Sequence, residues 1–470
     1  MSIVCGYTIS FNGCLHKYII YTEGRYFYMN EGSRKLVKCV VCGDIFDASL
    51  DTCPVCGVGR EFFVPYEEEI INFKNNTDEK FVILGNGAAG LNAAYGIRQR
   101  NATCSIVIIS EEGIFSYNRP MLTKSLLQEM EKNDILIHQK EWYLEKDMIN
   151  ILNSVITNIN VKEKYVEFDN GKQIIYDKLI YALGAKCFVP PIIGKDKNEV
   201  ITIRSFADVI KIRELMPKVK SVVVIGGGVL GLEAALSFSS FGVKVTVLEV
   251  ADKLMVRQLD DDAGEIMKEI IKKSGINIYV KANISEIIGD DKVRGIKLLD
   301  GQIIDCDMVI ISCGIKPNVD IGKEAGIQIN RSILVNEKME TNIKDIYACG
   351  DCAEFLGENY ALWTEAVEMG KVAGANAAGD DVSYKLVPAA LTFHGMDVGL
   401  FSIGDNGKKD SVAYTTKEIR NDMPLQYEKY YFVENKLVGV ILIGDTTKMN
   451  DLSTAVTEKW EYDRLFKESH

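Results

Sequence analysis

Histidine is scarce: the 470 residues hold only four, too few for a His-rich metal site. Long apolar runs are missing as well. The most apolar stretch, Val222 to Leu236, is broken by glycines and by Glu233, so no membrane span of about 20 residues is expected. The first residues lack a basic segment followed by an apolar one, and no signal peptide is expected either. Nor is there a basic excess. Lys+Arg total 54 against 66 for Asp+Glu, a formal charge of −12. Such a field repels phosphate backbones, which makes nucleic acid an unsuitable partner. The acidity serves solubility, or attraction of a small basic protein. With 47% hydrophobic and 26% charged residues, the chain is neither disordered nor fibrous, and its length leaves room for about three domains. A soluble, cytoplasmic protein with reduced thiols is expected.

The cysteines are present in number and unevenly placed. Of twelve, four form two Cys-x-x-Cys-Gly knuckles near the start: Cys39 with Cys42, and Cys53 with Cys56. Each knuckle offers two thiolates to one ion, and its glycine permits the positive-φ turn that closes the loop. Four thiolates in tetrahedral array suit zinc or iron. The gap of ten residues between knuckles does not decide the metal. Cys104, Cys187, Cys306 and Cys313 lie singly in apolar segments and read as small core residues. Cys349 and Cys352 form a further Cys-x-x-Cys, whose spacing reads as incidental. Cys5 and Cys14 match no pattern.

Composition divides the chain. Residues 1–36 are an aromatic-rich extension of unknown role, 37–66 the cysteine module, and 67–79 an acidic, Asn-rich linker. From Lys80 the text changes. Lys80 to Leu84 is a short apolar run typical of a buried parallel strand. Gly85-Asn86-Gly87-Ala88-Ala89-Gly90 follows, then a helical stretch to Arg100 and a second strand, Ser105 to Ile109. About 140 residues on, the unit recurs: strand Val222 to Ile225, turn Gly226-Gly227-Gly228-Val229-Leu230-Gly231, helix Leu232 to Phe241, strand Lys244 to Leu248. This is an internal duplication. The closing segment reads as strands (Tyr427 to Val433, Leu437 to Ile443) and a final helix.

Each turn is a G-x-G-x-x-G dinucleotide fingerprint in its required strand–turn–helix setting. Its glycines serve a tight turn, approach of the pyrophosphate, and helix–strand packing, with the phosphates at the helix N-terminus. An acidic residue after the second strand can accept from a ribose: Glu111, 21 residues after Gly90, and Glu249, 18 after Gly231. The glycines do not decide which copy holds which nucleotide; with a nicotinamide nucleotide on the second, Glu249 would repel a 2′-phosphate, and only Lys253 follows it closely, so NADH is expected over NADPH.

Tyr347-Ala348-Cys349-Gly350-Asp351 resembles the second FAD motif of the two-dinucleotide-domain flavoprotein reductases. Tyr181-Ala182-Leu183-Gly184-Ala185 and Gly314-Ile315-Lys316-Pro317-Asn318 resemble that family's crossover and return segments, with Leu183 where the family keeps Thr. The resemblance implies FAD on the Gly85 turn, NADH on the Gly226 turn, and Asp351 on the flavin ribitol or its phosphate. Tyr117-Asn118-Arg119-Pro120-Met121-Leu122-Thr123-Lys124 resembles a segment of the reductases that feed rubredoxins and related one-electron carriers. It implies Lys124 near the flavin N5 and paired with Glu233, Arg119 on the FAD phosphates, and Trp363 beside the isoalloxazine. The reactive cysteines of thiol-relay relatives are missing between Phe115 and Leu126, and from Leu91 to Arg100.

The knuckle segments CVVCGDIFDA and CPVCGVGREFF resemble rubredoxin with a shortened loop, Phe46 and Phe62 standing where that family keeps core aromatics. Iron is favoured over zinc, because a flavin reductase follows in the same chain.

Together these features give the expected architecture. It is α/β, with two Rossmann-like domains (FAD, 80–195 and 315–387; NAD, 196–314), the rubredoxin-like module and an α+β C-terminal domain at 388–470. The expected function is an NADH:rubredoxin oxidoreductase that passes electrons through FAD to its own four-cysteine iron and on to small electron-transfer proteins. Two alternatives stand beside it: the flavin part of a nitrite-reductase-like system, and a zinc-ribbon flavoprotein for redox sensing or interaction. Oligomeric state is left open.

Overall fold

The protein is described by a computed structural model at residues 17–22, 25–30, 35–40, 43, 45–54, 58–67, 69–129, 131–396 and 398–466, with backbone alone for 17–22, 25–30 and 422. The chain divides into two compact units between Ile70 and Ile71.

In the first unit, β1 (Lys17–Thr22) and β2 (Arg25–Asn30) pair antiparallel, within the segment that carries no motif. A three-stranded sheet follows, with β3 (Leu36–Cys39) between β4 (Ile45–Asp47) and β5 (Phe63–Tyr66). Phe46 and Phe62 are buried, as expected of core aromatics, and Phe46 meets Phe63 edge-on at 4.8 Å. Cys39 ends β3, and Gly43, at φ +78°, donates its N–H to the Cys39 carbonyl at 2.8 Å. That is the knuckle turn its glycine permits. Cys53 is also buried. Cys42 and Cys56 lie outside the described residues.

The second unit opens with the strand–helix–strand duplication. In the first copy, β6 (Lys80–Leu84), α1 (Ala88–Arg100) and β7 (Ser105–Ile109) are followed by β8 (Met148–Ile151) and β9 (Lys178–Tyr181). The second copy comprises β10 (Val200–Thr202), β11 (Ser221–Ile225), α2 (Val229–Ser240), β12 (Lys244–Leu248), α3 (Asp261–Lys273), β13 (Asn277–Tyr279) and β14 (Met308–Ile311). The chain then returns to the first copy through β15 (Ile346–Ala348) and α4 (Trp363–Ala377). Two parallel five-stranded sheets result, in the orders β15-β9-β6-β7-β8 and β10-β14-β11-β12-β13. Apart from β8, β10 and β13, their strands are almost wholly buried, which is why they read as unbroken apolar runs. The crossover and return segments lie side by side, Ala185–Cys187 pairing antiparallel with Ile315–Pro317. Helix α2 begins three residues before the expected Leu232, because its first turn is built from the fingerprint itself.

The Asn-rich stretch read as a linker is partly docked. Asn75 donates its backbone N–H to the Arg100 carbonyl and its side chain to the Ala378 carbonyl, both at 2.9 Å. Asn76 and Thr77 bond to Ala102 and Asn101. The two Asn75 bonds satisfy carbonyls that a helix end leaves without partners. A polar composition that suggested a free tether thus serves as a clasp across the ends of α1 and α4.

The C-terminal sheet, β16 (Ala390–Gly395), β17 (Val398–Gly404), β18 (Thr415–Asp422), β19 (Leu425–Val433) and β20 (Lys436–Gly444), is antiparallel in the order β16-β17-β20-β19-β18. It shares a core with the second copy: Phe393, Leu400, Tyr427 and Ile441 pack with Leu254, Leu259 and Ala263. Asp260 fastens the two. It caps α3 through the Ala263 N–H and accepts from Tyr427 (3.0 Å), Lys429 (2.9 Å) and Tyr431 (2.5 Å). Residues 427, 429 and 431 alternate along β19, so all three face one side of the sheet. Burial opposes the Asp260 charge, yet Tyr431, the Ala263 N–H and Lys429 hold its carboxyl below the usual range. A depressed folded-state pKa stabilises above the unfolded value near 4, and the gain is lost as pH falls. Replacing Asp260 by Ala is expected to cost about 3 kcal/mol, the order found when a buried pair loses one partner. Thermal melts should show the deficit in full at neutral pH and a narrowing gap below about pH 4.

Candidate functional site

The two glycine turns are built alike, residue for residue. Gly85 adopts φ +106° and Gly226 φ +116°, a region that side chains rarely enter. Each donates its N–H to the end of the neighbouring strand, Ile109 and Leu248, at 2.8 Å. A Cβ at Gly85 would lie 2.2 Å from the Ala182 carbonyl oxygen, and one at Gly226 2.2 Å from that of Ser312. The third glycines pack on the first: a Cβ at Gly90 would meet the Gly85 oxygen at 1.9 Å, and at Gly231 the Gly226 oxygen at 2.2 Å. The middle glycines differ. Gly87 and Gly228 are the N-caps of α1 and α2, and a Cβ there would meet nothing within 4 Å. Neither helix has a side-chain cap or an acidic residue in its first turn. Backbone N–H groups at a positive helix end, facing open space, suit a pyrophosphate. In the first turn Asn86 is buried and its Oδ1 has no partner among the described residues, a polar atom left for a ligand.

The carboxylates of the two copies are not equivalent. Glu249 directly follows β12 and is clamped by the Gly227 N–H at 2.7 Å and the Ala251 N–H at 2.8 Å. In the first copy that register position belongs to Ser110, since Leu84 pairs with Ile109 as Ile225 pairs with Leu248. Glu111 comes one residue later and is exposed. Glu112 turns inward instead, accepting from the Tyr117 hydroxyl at 2.7 Å and pairing with Arg119.

Arg119 forms part of a larger ionic group. It donates to the Tyr117 oxygen at 2.9 Å, while Arg204 pairs with Asp351 at 2.7 Å. Burial opposes the Arg119 charge, but Tyr117, Glu112 and Asp351 outweigh it and raise its pKa. Arg204 also lies 3.6 Å from where a Cβ at Gly184 would stand, which brings the crossover into the same site. Arg204 carries no motif of its own. The one nearby signal is the capping box of Ser205 and Asp208, which starts the helix Phe206–Leu215.

Asp351 is brought to the first turn by close packing. Gly350, at φ +77°, leaves only 2.8 Å between its would-be Cβ and Ala89. Gly370 and Gly374 of α4 face the carbonyls of Ala89 and Ala93 at 2.3 and 2.2 Å on the same measure. Small residues thus let α4 lie against α1, with Trp363 half-buried at its start against the same core. Gly314, at φ +97°, accepts from the Phe188 N–H at 2.9 Å in the return segment.

The expected ion pair of Lys124 with Glu233 is not formed. The short helix Met121–Lys124 packs on α2, but it is the Thr123 hydroxyl that donates to Glu233, at 2.6 Å. Lys124 comes within 4.0 Å of no carboxylate among the described residues. The reason is helical geometry: neighbouring residues point about 100° apart, so only one of the two can face Glu233. Burial pushes the Glu233 carboxyl up, partly offset by the more distant Lys124 charge and the Thr123 bond. Cys349 and Cys352 are buried; burial pushes the Cys349 thiol well up and the Cys352 thiol to about 12, so neither supplies a thiolate. Among the described residues no cluster of three or more His, Cys, Asp or Glu could hold a metal, and no helix is long and apolar enough to cross a membrane.

Two nucleotide turns, one inserted within the other's domain, define the class: a two-dinucleotide-domain flavoprotein reductase. Residues 79–370 match the pyridine nucleotide-disulphide oxidoreductases, and residues 390–460 match the C-terminal domain of rubredoxin NAD+ reductase. The chain belongs to the pyridine nucleotide-disulphide oxidoreductase family and is a pyridine-nucleotide-dependent FAD oxidoreductase. It is 34% identical over 82% of its length to the NADH-rubredoxin oxidoreductase of Clostridium acetobutylicum, spanning 96% of that protein. The crystal structure of that enzyme superposes with a TM-score of 0.69 at 32% identity, over 82% of this chain and 97% of that one. The chain is also 33% identical, over 81% of its length, to the nitrite reductase [NAD(P)H] of Bacillus subtilis, but spans only 47% of it, about half.

Thr123→Val is expected to raise the Glu233 pKa further, because the one hydrogen bond that favours its charge is removed. Infrared titration should place the midpoint of the Glu233 carboxyl band at a higher pH than in the parent.

Proposed function

We propose that the chain is an NADH:rubredoxin oxidoreductase that carries its own rubredoxin-type acceptor, and that it passes electrons on to small one-electron carriers. The observation that carries the reading is the paired turn: two cradles of closely similar backbone, each with its middle glycine open, in a chain that also carries two Cys-x-x-Cys-Gly knuckles.

The first cradle fits FAD. Gly85, Gly87 and Gly90 would admit its pyrophosphate, with Arg119 and Arg204 supplying positive charge and Glu111 reaching a ribose. Ala182, Gly184, Gly350 and Asp351 would border the ribitol, and Trp363 the ring. The second cradle fits NADH: Gly226, Gly228 and Gly231 would take the pyrophosphate, Glu249 the ribose 2′-hydroxyl, and Gly314 the approach to the nicotinamide. Bound flavin supplies the exchange between two-electron and one-electron chemistry. Lys124 would lie near the flavin N5 and favour negative charge there, and Glu233, whose carboxyl burial pushes up, would lie close by.

Cys39, Cys42, Cys53 and Cys56 would hold the iron. The Gly43 turn and the buried Cys39 and Cys53 support that ligand set. Only the residues before Lys74 then serve as tether; a short flexible one gives an effective concentration in the roughly mM range, so the fused module should outcompete a free carrier. The likeness to half of a nitrite reductase favours a second reading, in which the chain delivers electrons to a separate reductase partner.

Metal analysis and an anaerobic NADH titration test the proposal. Iron–thiolate colour that bleaches together with the flavin is the expected result. Zinc in the module, with only the flavin bleaching, would refute the internal acceptor and favour the second reading.

A further inference from the structure

The cation nearest to Glu249 in sequence is not free to meet a cofactor. The segment after β12 folds back over the second glycine turn: Met255 donates to the Gly227 carbonyl at 3.0 Å, and a Cβ at Gly227 would strike Leu254 at 2.5 Å and Glu249 at 3.2 Å. Lys253 leaves this segment beside Leu254. Its side chain, only 17% exposed, lies along α3, where three of its carbons would be 3.5–3.6 Å from a Cβ at Gly264. Its ammonium pairs closely with Asp261 in the first turn of α3 and reaches Asp252 at 4.0 Å. The bond to Asp261 is the main reason its pKa is raised. The other nearby lysines are engaged as well: Lys408 donates to the Val256 carbonyl at 2.9 Å, and Lys429 pairs with Asp260 and Asp262.

We propose that Asp261 is a specificity-determining positioning residue: it holds the Lys253 ammonium against α3, in the slot left by Gly264, and so withholds that charge from a nucleotide 2′-phosphate. Glu249 repels the phosphate directly, and Asp261 removes the cation that would compensate. Selection for a free 2′-hydroxyl is therefore a two-residue property. The inference rests on the reading of the second turn as the NADH site.

The test is calorimetric titration of the full-length, flavin-loaded protein with NAD+ and with NADP+, so that binding is read without turnover. Asp261→Asn should tighten NADP+ by about three- to fivefold, the scale of an exposed ion pair, and leave NAD+ within about twofold. Adding Lys253→Ala should cancel the gain. An unchanged NADP+ affinity in Asp261→Asn overturns the proposal, as does a gain that survives in the double variant. If the parent binds neither nucleotide, the site assignment itself falls, and the proposal with it. Asp261 is exposed and Asp260 provides the helix cap, so Asp261→Asn should fold; equal melting temperatures of the variants check this.

Discussion

Two carbonyl oxygens, of Ala182 and Ser312, occupy the space where the first glycine of each turn would carry a side chain. That contact couples strand, turn, helix and crossover into one rigid corner, twice. Because the first glycine is pressed against a neighbouring strand and the third against the first, the middle glycine is the only one left facing outward. A ligand's phosphates can approach the backbone there. The same geometry excludes any larger residue at four of the six glycines, whatever the ligand.

The copies share this backbone and differ in charge. The first gathers Arg119, Arg204, Glu112 and Asp351 within a partly buried ionic group. Such a group stabilises little by itself, since desolvation offsets much of the Coulomb gain. Its consequence is placement: Arg119 and Arg204 are held together beside Asp351, which the packing of Gly350 on Ala89 brings to the first turn. In the second copy Glu249 is clamped by the very turn it adjoins, and Asp261 holds the Lys253 ammonium against α3. The duplication thus supplies two scaffolds of like backbone and unlike charge.

Much of this was legible in the sequence. The strands Lys80–Leu84 and Lys244–Leu248 fall where the apolar runs place them, because parallel strands buried on both faces leave no alternation to misread. The crossover and return segments, identified by resemblance, do pair. What was hidden depends on relations that spacing does not carry. Counting from the last glycine points to Glu111, whereas strand register puts Ser110 in the place of Glu249. The partner of Glu233 depends on which of two adjacent side chains a short helix turns inward, and it is Thr123. Asn75 looks like linker because its contacts, Arg100 and Ala378, lie far away in sequence. Arg204 has no motif, and only the tertiary fold brings it to Asp351.

The central claim is that the two open glycines admit two different nucleotides, FAD at Gly87 and NADH at Gly228. Filling each in turn with leucine, and measuring flavin content and NADH affinity on both purified proteins, tests it most directly. The account predicts that Gly87→Leu loses flavin and keeps NADH binding, while Gly228→Leu keeps flavin and loses NADH binding. Loss of both ligands in each variant, or of neither, would contradict it.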